Sequence, residues 1–242
     1  ALPEEIQILS RTRGRKKLKT GAVASNDFVV RLYVSAVDKA ALDARLQQIR
    51  EQGYPNYFGQ QRFGLQGQNV EKLIAMAKGK RCKPQQRSIY LSAGRSQLFN
   101  LMLSARVREN NWNQLQIGDV ALLNNSRSFF SVTEVNDELQ QRLDTFDIHP
   151  ALPLYGKGDW PSAGDQYALE QKVYAENREI VQALDKFKVE LMPRASRVIA
   201  RELSWDINDE YVELSFTLPS GAYATSLLEQ LFELHEPERN SA

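Results

Sequence analysis

The sharpest hydrophobic pattern lies near the end of the chain. Ile199, Leu203, Trp205 and Ile207 recur through Val198–Ile207, and Val212, Leu214, Phe216 and Leu218 alternate with more polar residues through Tyr211–Leu218. With Asn208-Asp209-Glu210 between them, the two runs predict an antiparallel hairpin with one apolar face. After Pro219-Ser220-Gly221, the spacing of Leu227, Leu228 and Leu231 predicts a helix over Tyr223–Leu234. The start of the chain also reads as strand. Gln7-Ile8-Leu9 and Gly21-Ala22-Val23 flank a basic cluster as short strands, and Asn26–Val34 is β-branched and aromatic. Asp38 then reads as an N-cap, with Ala41, Leu42, Leu46 and Ile49 at helical spacing and Gly53 as the stop.

The middle is mostly helical. Helices are predicted over Val70–Ala77, Ile89–Arg108, Asn136–Leu143 and Gln166–Leu184. Gly118–Leu123 and Phe129–Val132 read as strands around the turn Asn124-Asn125-Ser126, and Pro150–Gly164, with three prolines and three glycines, reads as loop. Pro55–Gly67 has little periodicity and reads as an ordered loop. Strands at both ends with helices between predict an α+β, mixed α/β protein. Residues 1–52 and 197–242 would close one sheet around an insertion at 53–196.

Composition narrows the function. The 242 residues are 42% hydrophobic and 25% charged, which is globular. No apolar run approaches the roughly 20 residues of a membrane span, and Ala1-Leu2-Pro3-Glu4-Glu5 does not resemble a signal peptide. The one cysteine, Cys82, excludes an internal disulfide and any multi-cysteine zinc site, and predicts a reducing, cytoplasmic compartment. Cys82 sits between cations that would favour a thiolate, but with no nearby histidine it reads as an incidental exposed thiol. The two histidines, His149 and His235, are too few for a histidine-rich metal centre, and His149 reads as solvent-facing. Phosphate-loop, dinucleotide, zincin and serine-hydrolase motifs are absent. No metal and no cofactor is expected.

Charge is divided. Residues 1–108 hold 20 Lys/Arg against 7 Asp/Glu, and residues 109–242 hold 11 against 23. Two stretches, Ile6–Asn26 and Lys72–Arg108, contain no acid. Clean basic runs of this kind meet polyanions, although the acidic half could also balance them within the fold. Lys16, Lys17, Arg81, Lys83 and Arg87 are therefore candidate RNA contacts. Asn56–Gly64 adds aromatics for stacking, glycines that free the backbone, and Arg62 as a donor. Arg62 fits two roles: contact with RNA, or a pin that fixes the insertion through a buried carboxylate.

Four motifs carry a resemblance to a known family. Asn56-Tyr57-Phe58-Gly59-Gln60-Gln61-Arg62-Phe63-Gly64 resembles the signature N-Y-F-G-x-Q-R-F-G of the TruD family of tRNA pseudouridine synthases. Asn26-Asp27-Phe28 is similar to its N-x-F motif, Leu91–Asn100 to L-S-A-x-R-S-x-L-F-N, and Leu218–Ser226 to L-P-x-G-x-[FY]-A-T-S. The resemblance implies a pseudouridine synthase catalytic domain with an antiparallel sheet, interrupted by a family-specific α/β insertion. It implies cofactor-free isomerisation of uridine to pseudouridine in tRNA, at uridine-13. The uridine's glycosidic bond is cleaved and the base is rotated and rejoined through carbon. Phe28 would stack on the flipped base and Asn26 would hydrogen-bond near it.

The family's catalytic aspartate lies in a G-x-K-D motif upstream of N-x-F, and no G-x-K-D occurs in these 242 residues. No catalytic residue is therefore assigned. The chain is expected to be the last two-thirds of a family member, binding tRNA as a monomer with no obligate protein partner and no membrane, and inactive without the upstream aspartate. A non-catalytic RNA-binding module and a protein-interaction scaffold are the alternatives.

Overall fold

The computed structural model of the chain describes residues 23–34 and 37–234. Lys16, Lys17 and the strand expected at Gln7–Leu9 lie outside them, as does His235. Strand β1 (Ser25–Tyr33) leads to helix α1 (Lys39–Gln52), whose first turn is capped by Asp38 accepting from the Ala41 N–H at 3.0 Å. Gly53 ends α1 with φ of 78°, and a Cβ there would lie 2.4 Å from the Val198 carbonyl, so only glycine fits. Next come β2 (Tyr54–Pro55), α2 (Gln68–Ala77) and the long α3 (Pro84–Arg108). A small sheet and helix pair follows: β3 (Val120–Leu123), β4 (Phe129–Ser131), α4 (Asp137–Asp144) and β5 (Ile148–Leu154). The chain continues through α5 (Gly164–Glu176), α6 (Arg178–Lys186), β6 (Met192–Ala195), β7 (Arg197–Val198), β8 (Arg201–Ile207), β9 (Tyr211–Pro219) and α7 (Ala224–Leu228).

The described strands form three antiparallel sheets: β1-β9-β8, β2-β7 and β4-β3-β5-β6. The first and last segments thus pair directly, Phe28 opposite Phe216 and Asn26 opposite Leu218. One apolar cluster lies beneath this sheet, around Leu46, Ile49, Val212, Leu214, Phe216 and Leu227. A second joins α2, α3, α5 and α6 through Leu73, Leu98, Phe99 and Leu184, and a third holds α4 on β3 and β5 through Leu143 and Ile148. Each fully buried side chain of this size contributes roughly 1.5–3 kcal/mol.

Five local expectations are corrected. Pro150–Gly164 is not all loop, because residues 148–154 form the central strand β5. Neither proline breaks a ladder there. The Ser196 carbonyl that residue 150 would face already accepts from the Asn56 N–H at 2.8 Å, and Pro153 lies beyond the last residue paired with β3. The helix expected over Gln166–Leu184 is two helices, broken where Asn177 leaves helical geometry and its side chain donates to the Val173 carbonyl at 2.8 Å. The final helix stops at Leu228, short of Leu234, and α3 begins at Pro84, which suits a first helical position. His149 is buried in β5 rather than solvent-facing.

Candidate nucleic-acid interface

The loop Asn56–Gly64 is a joint. Phe58 and Phe63 anchor it in the helical core. The Asn100 side chain clamps the Phe58 backbone, accepting from its N–H and donating to its carbonyl, each at 3.0 Å. A Cβ at Gly59 would lie 2.9 Å from Thr225 Oγ1 and 3.0 Å from the Tyr223 ring, so the glycine allows the C-terminal segment to approach. Ser226 Oγ then donates to the Tyr57 carbonyl at 3.1 Å. Arg62 donates from Nε to the Tyr223 hydroxyl at 2.8 Å and from a terminal nitrogen to Ser92 Oγ at 2.9 Å. Its partners are therefore hydroxyls in place of the expected carboxylate.

Arg194 completes the joint. Its guanidinium lies 3.8 Å from the Phe58 ring centre and donates to Asn56 Oδ1 at 2.6 Å and to the Gly221 carbonyl at 3.3 Å. Residues from three of the four motifs thus meet here: Asn56–Gly64, Leu91–Asn100 and Leu218–Ser226. The β1–β9 register brings the fourth, Asn26-Asp27-Phe28, alongside Thr217 and Leu218.

Beside the joint is a cleft of about 510 Å³ between the end of β9 and the C-terminal end of β3. Arg194, Arg197 and Arg201 line it together with Ser220, Asn125 and His149, and among the described residues its lining includes no carboxylate. Burial lowers the Arg194 pKa to about 9 and the Arg197 pKa to about 10, so both remain cations at neutral pH. Arg197 Nε donates to His149 Nδ1 at 3.0 Å. Burial, and then the Arg197 charge, hold the His149 pKa down at about 4, and the imidazole is neutral. Arg201, Asn125 and Ser220 are exposed and offer groups suited to phosphate and base edges, while Arg194 and Arg197 add positive charge from beneath with donors already engaged within the fold.

Phe28 is half-buried and stacks on Phe216, with ring centres 5.3 Å apart and planes at 21°. Asn26 is exposed on the same face, two residues away, or roughly 7 Å along the strand. Neither lines the cleft; both sit on the strand next to its Pro219–Ala222 rim. Arg81, Lys83 and Arg87 are exposed around the start of α3, and the Arg87 guanidinium lies 4.8 Å from the Phe187 ring centre. About 8 Å of helix rise separates Arg87 from Ser92 at the joint. Among the described residues no group of three or more His, Cys, Asp and Glu is arranged to hold a metal ion, and no helix is long and apolar enough to cross a membrane. Arg194, Arg197 and Arg201 lie outside all four sequence motifs. Their available signal was the acid-free stretch Leu191–Arg201 inside the acidic half.

This is an α+β protein with an acid-free, arginine-lined cleft, a site suited to an anionic ligand. The chain belongs to the tRNA pseudouridine synthase D (TruD) family, whose model it matches over residues 2–81 and 66–231. It is 40% identical over 237 residues to the tRNA pseudouridine synthase D of Aeromonas hydrophila, covering 97% of this chain and 67% of that protein. It is 38% identical over 235 residues to the protein of the same name from Pseudomonas entomophila, covering 96% and 66%. The chain thus spans about two-thirds of the length of these relatives. A crystal structure from Methanosarcina mazei, described as a tRNA pseudouridine synthase D, superposes with a TM-score of 0.65 at 18% identity, over 92% of this chain and 72% of that one. That likeness shows a shared fold.

Proposed function

We propose that this chain forms the substrate-gripping part of a cytoplasmic tRNA pseudouridine synthase that acts on uridine-13. The observation that carries the reading is the cleft bearing Arg194, Arg197 and Arg201 without a carboxylate, beside the point where the family motifs converge. Cations at that spot neutralise phosphates and hold the RNA while a base is turned out of its stack. Phe28, supported from behind by Phe216, presents a ring for the flipped uracil, and Asn26 supplies the neighbouring hydrogen bond. Residues 53–196 act as an inserted domain between the two parts of the catalytic sheet, and Arg62 fixes it to the Tyr223 segment. The aspartate that initiates glycosidic cleavage comes from a G-x-K-D segment outside these 242 residues. The chain alone binds tRNA without forming pseudouridine.

The test is the salt dependence of binding to an unmodified tRNA transcript. Arg201→Glu and the pair Arg81→Glu/Lys83→Glu each lower affinity. Each lost phosphate contact flattens the log–log salt slope by somewhat less than one unit. Unchanged affinity and slope in both variants would remove RNA from these surfaces and favour the protein-interaction scaffold.

A further inference from the structure

Phe146 occupies a backbone position that disfavours it. It follows the C-cap of α4 with φ of 60°, its N–H donating to the Leu143 carbonyl at 3.2 Å and the Asp147 N–H to the Arg142 carbonyl at 2.9 Å. Helix-terminating turns of this kind usually place glycine at the left-handed residue, and a bulky aromatic there is an outlier. Core packing does not offset the strain. Phe146 is half-buried and belongs to none of the three apolar clusters formed by the described residues.

The turn is nevertheless firmly supported. The buried Arg197 guanidinium lies 5.0 Å from the Phe146 ring centre, and it donates to the Leu143 carbonyl at 2.5 Å and the Ile148 carbonyl at 3.0 Å, on either side of the turn. Phe146 and Arg197 also mark a boundary, because both line the arginine cleft and a second cleft of about 690 Å³. The second cleft is lined by Gln48, Gln52, Asn113, Gln140 and Trp112. Its amides can donate and accept toward base edges, and Glu51 and Asp144 in its wall are matched by Arg45 and Arg197, so the second cleft lacks the net positive charge of the first.

We infer that Phe146 is a stacking platform for an unpaired nucleobase of the RNA, adjoining the segment held in the arginine cleft. The amides of the second cleft contact that base's edge. The inference rests on the RNA-binding reading above and adds a second nucleotide site to it.

The experiment compares wild type, Phe146→Gly and Phe146→Trp for affinity to an unmodified tRNA transcript and to a fully paired RNA duplex of similar length, at one salt concentration. The glycine suits the left-handed backbone, so its melting temperature stays at or above that of wild type. Its affinity for tRNA falls roughly ten- to a hundredfold, while its affinity for the duplex does not change. The tryptophan variant stays within about twofold of wild type on both RNAs. Wild-type tRNA affinity in the glycine variant, or an equal loss on tRNA and duplex, overturns the inference alone. Wild-type protein that binds neither RNA overturns the RNA-binding reading and this inference with it.

Discussion

Arg62 Nε donates to the Tyr223 hydroxyl across 2.8 Å, joining residues 161 positions apart. The guanidinium also lies 5.3 Å from the Phe58 ring centre and 5.8 Å from that of Tyr223. One side chain thereby ties the Asn56–Gly64 loop to both α3 and the segment before α7. The motif arginine is placed as a fastener between parts of the fold.

Tyr223→Phe keeps the ring and removes only the hydroxyl. Because the contact is half-exposed, a loss of about 1 kcal/mol is expected, or a melting temperature lower by about 2–4 °C. Arg62→Lys loses the planar fork and both hydroxyl contacts, so its melting temperature falls further. Affinity for tRNA at fixed salt stays close to wild type in both variants. Normal melting with weakened tRNA binding would instead make Arg62 an RNA contact.

Arg106 and Asp119 form a buried bidentate pair, with both N···O distances 2.8 Å and both side chains less than 5% exposed. Asp119→Asn leaves the guanidinium without its counter-charge in a buried site. A loss of about 3–5 kcal/mol is expected in urea unfolding. A variant within 1 kcal/mol of wild type would show that Gln166 and the backbone carbonyls around Arg106 suffice.

His149 gives stability a pH dependence of known sign. Its native pKa is about 4, against an ordinary value of 6.5, so the unfolded chain takes up that proton first. The His149 contribution is complete above pH 6.5 and is lost as pH falls toward 4. Glu170 works the other way, since burial raises its carboxyl pKa and its native form takes up a proton first. His149→Gln separates the two. Between pH 7 and pH 5 the wild type is expected to lose about 2 kcal/mol more than the variant, as measured by urea midpoints. Parallel losses would mean that His149 is protonated in the native state.

Local patterns made much of the fold legible. Alternation through β9, the spacing of Leu42, Leu46 and Ile49 in α1, and the Asp38 cap depend on neighbours in sequence. The pairing of β1 with β9 followed from strands at the two ends. Pro150 and Pro153 concealed β5: Pro150 is tolerated because Asn56 occupies the Ser196 carbonyl, a contact distant in sequence, and Pro153 because the pairing with β3 ends before it. Asn177 breaks a helix through its own side chain, without the glycine or proline that announces most breaks. The motif residues themselves were visible, but their convergence was not. Arg194, Arg197 and Arg201 stand in the acidic half, and only the fold brings them beside Ser220 and Asn125 to make an acid-free cleft.

The most direct measurement is pseudouridine formation in an unmodified tRNA transcript. The 242-residue chain is compared with a chimera that carries, at its N-terminal end, the segment of the Aeromonas hydrophila relative upstream of the aligned region. The chain alone is expected to bind tRNA and form no pseudouridine. The chimera is expected to form it, and to lose turnover far more than tRNA affinity on Phe28→Ala. Turnover by the chain alone would place the catalytic acid within these residues. A folded, tRNA-binding chimera without turnover would leave an RNA-binding module in place of a synthase.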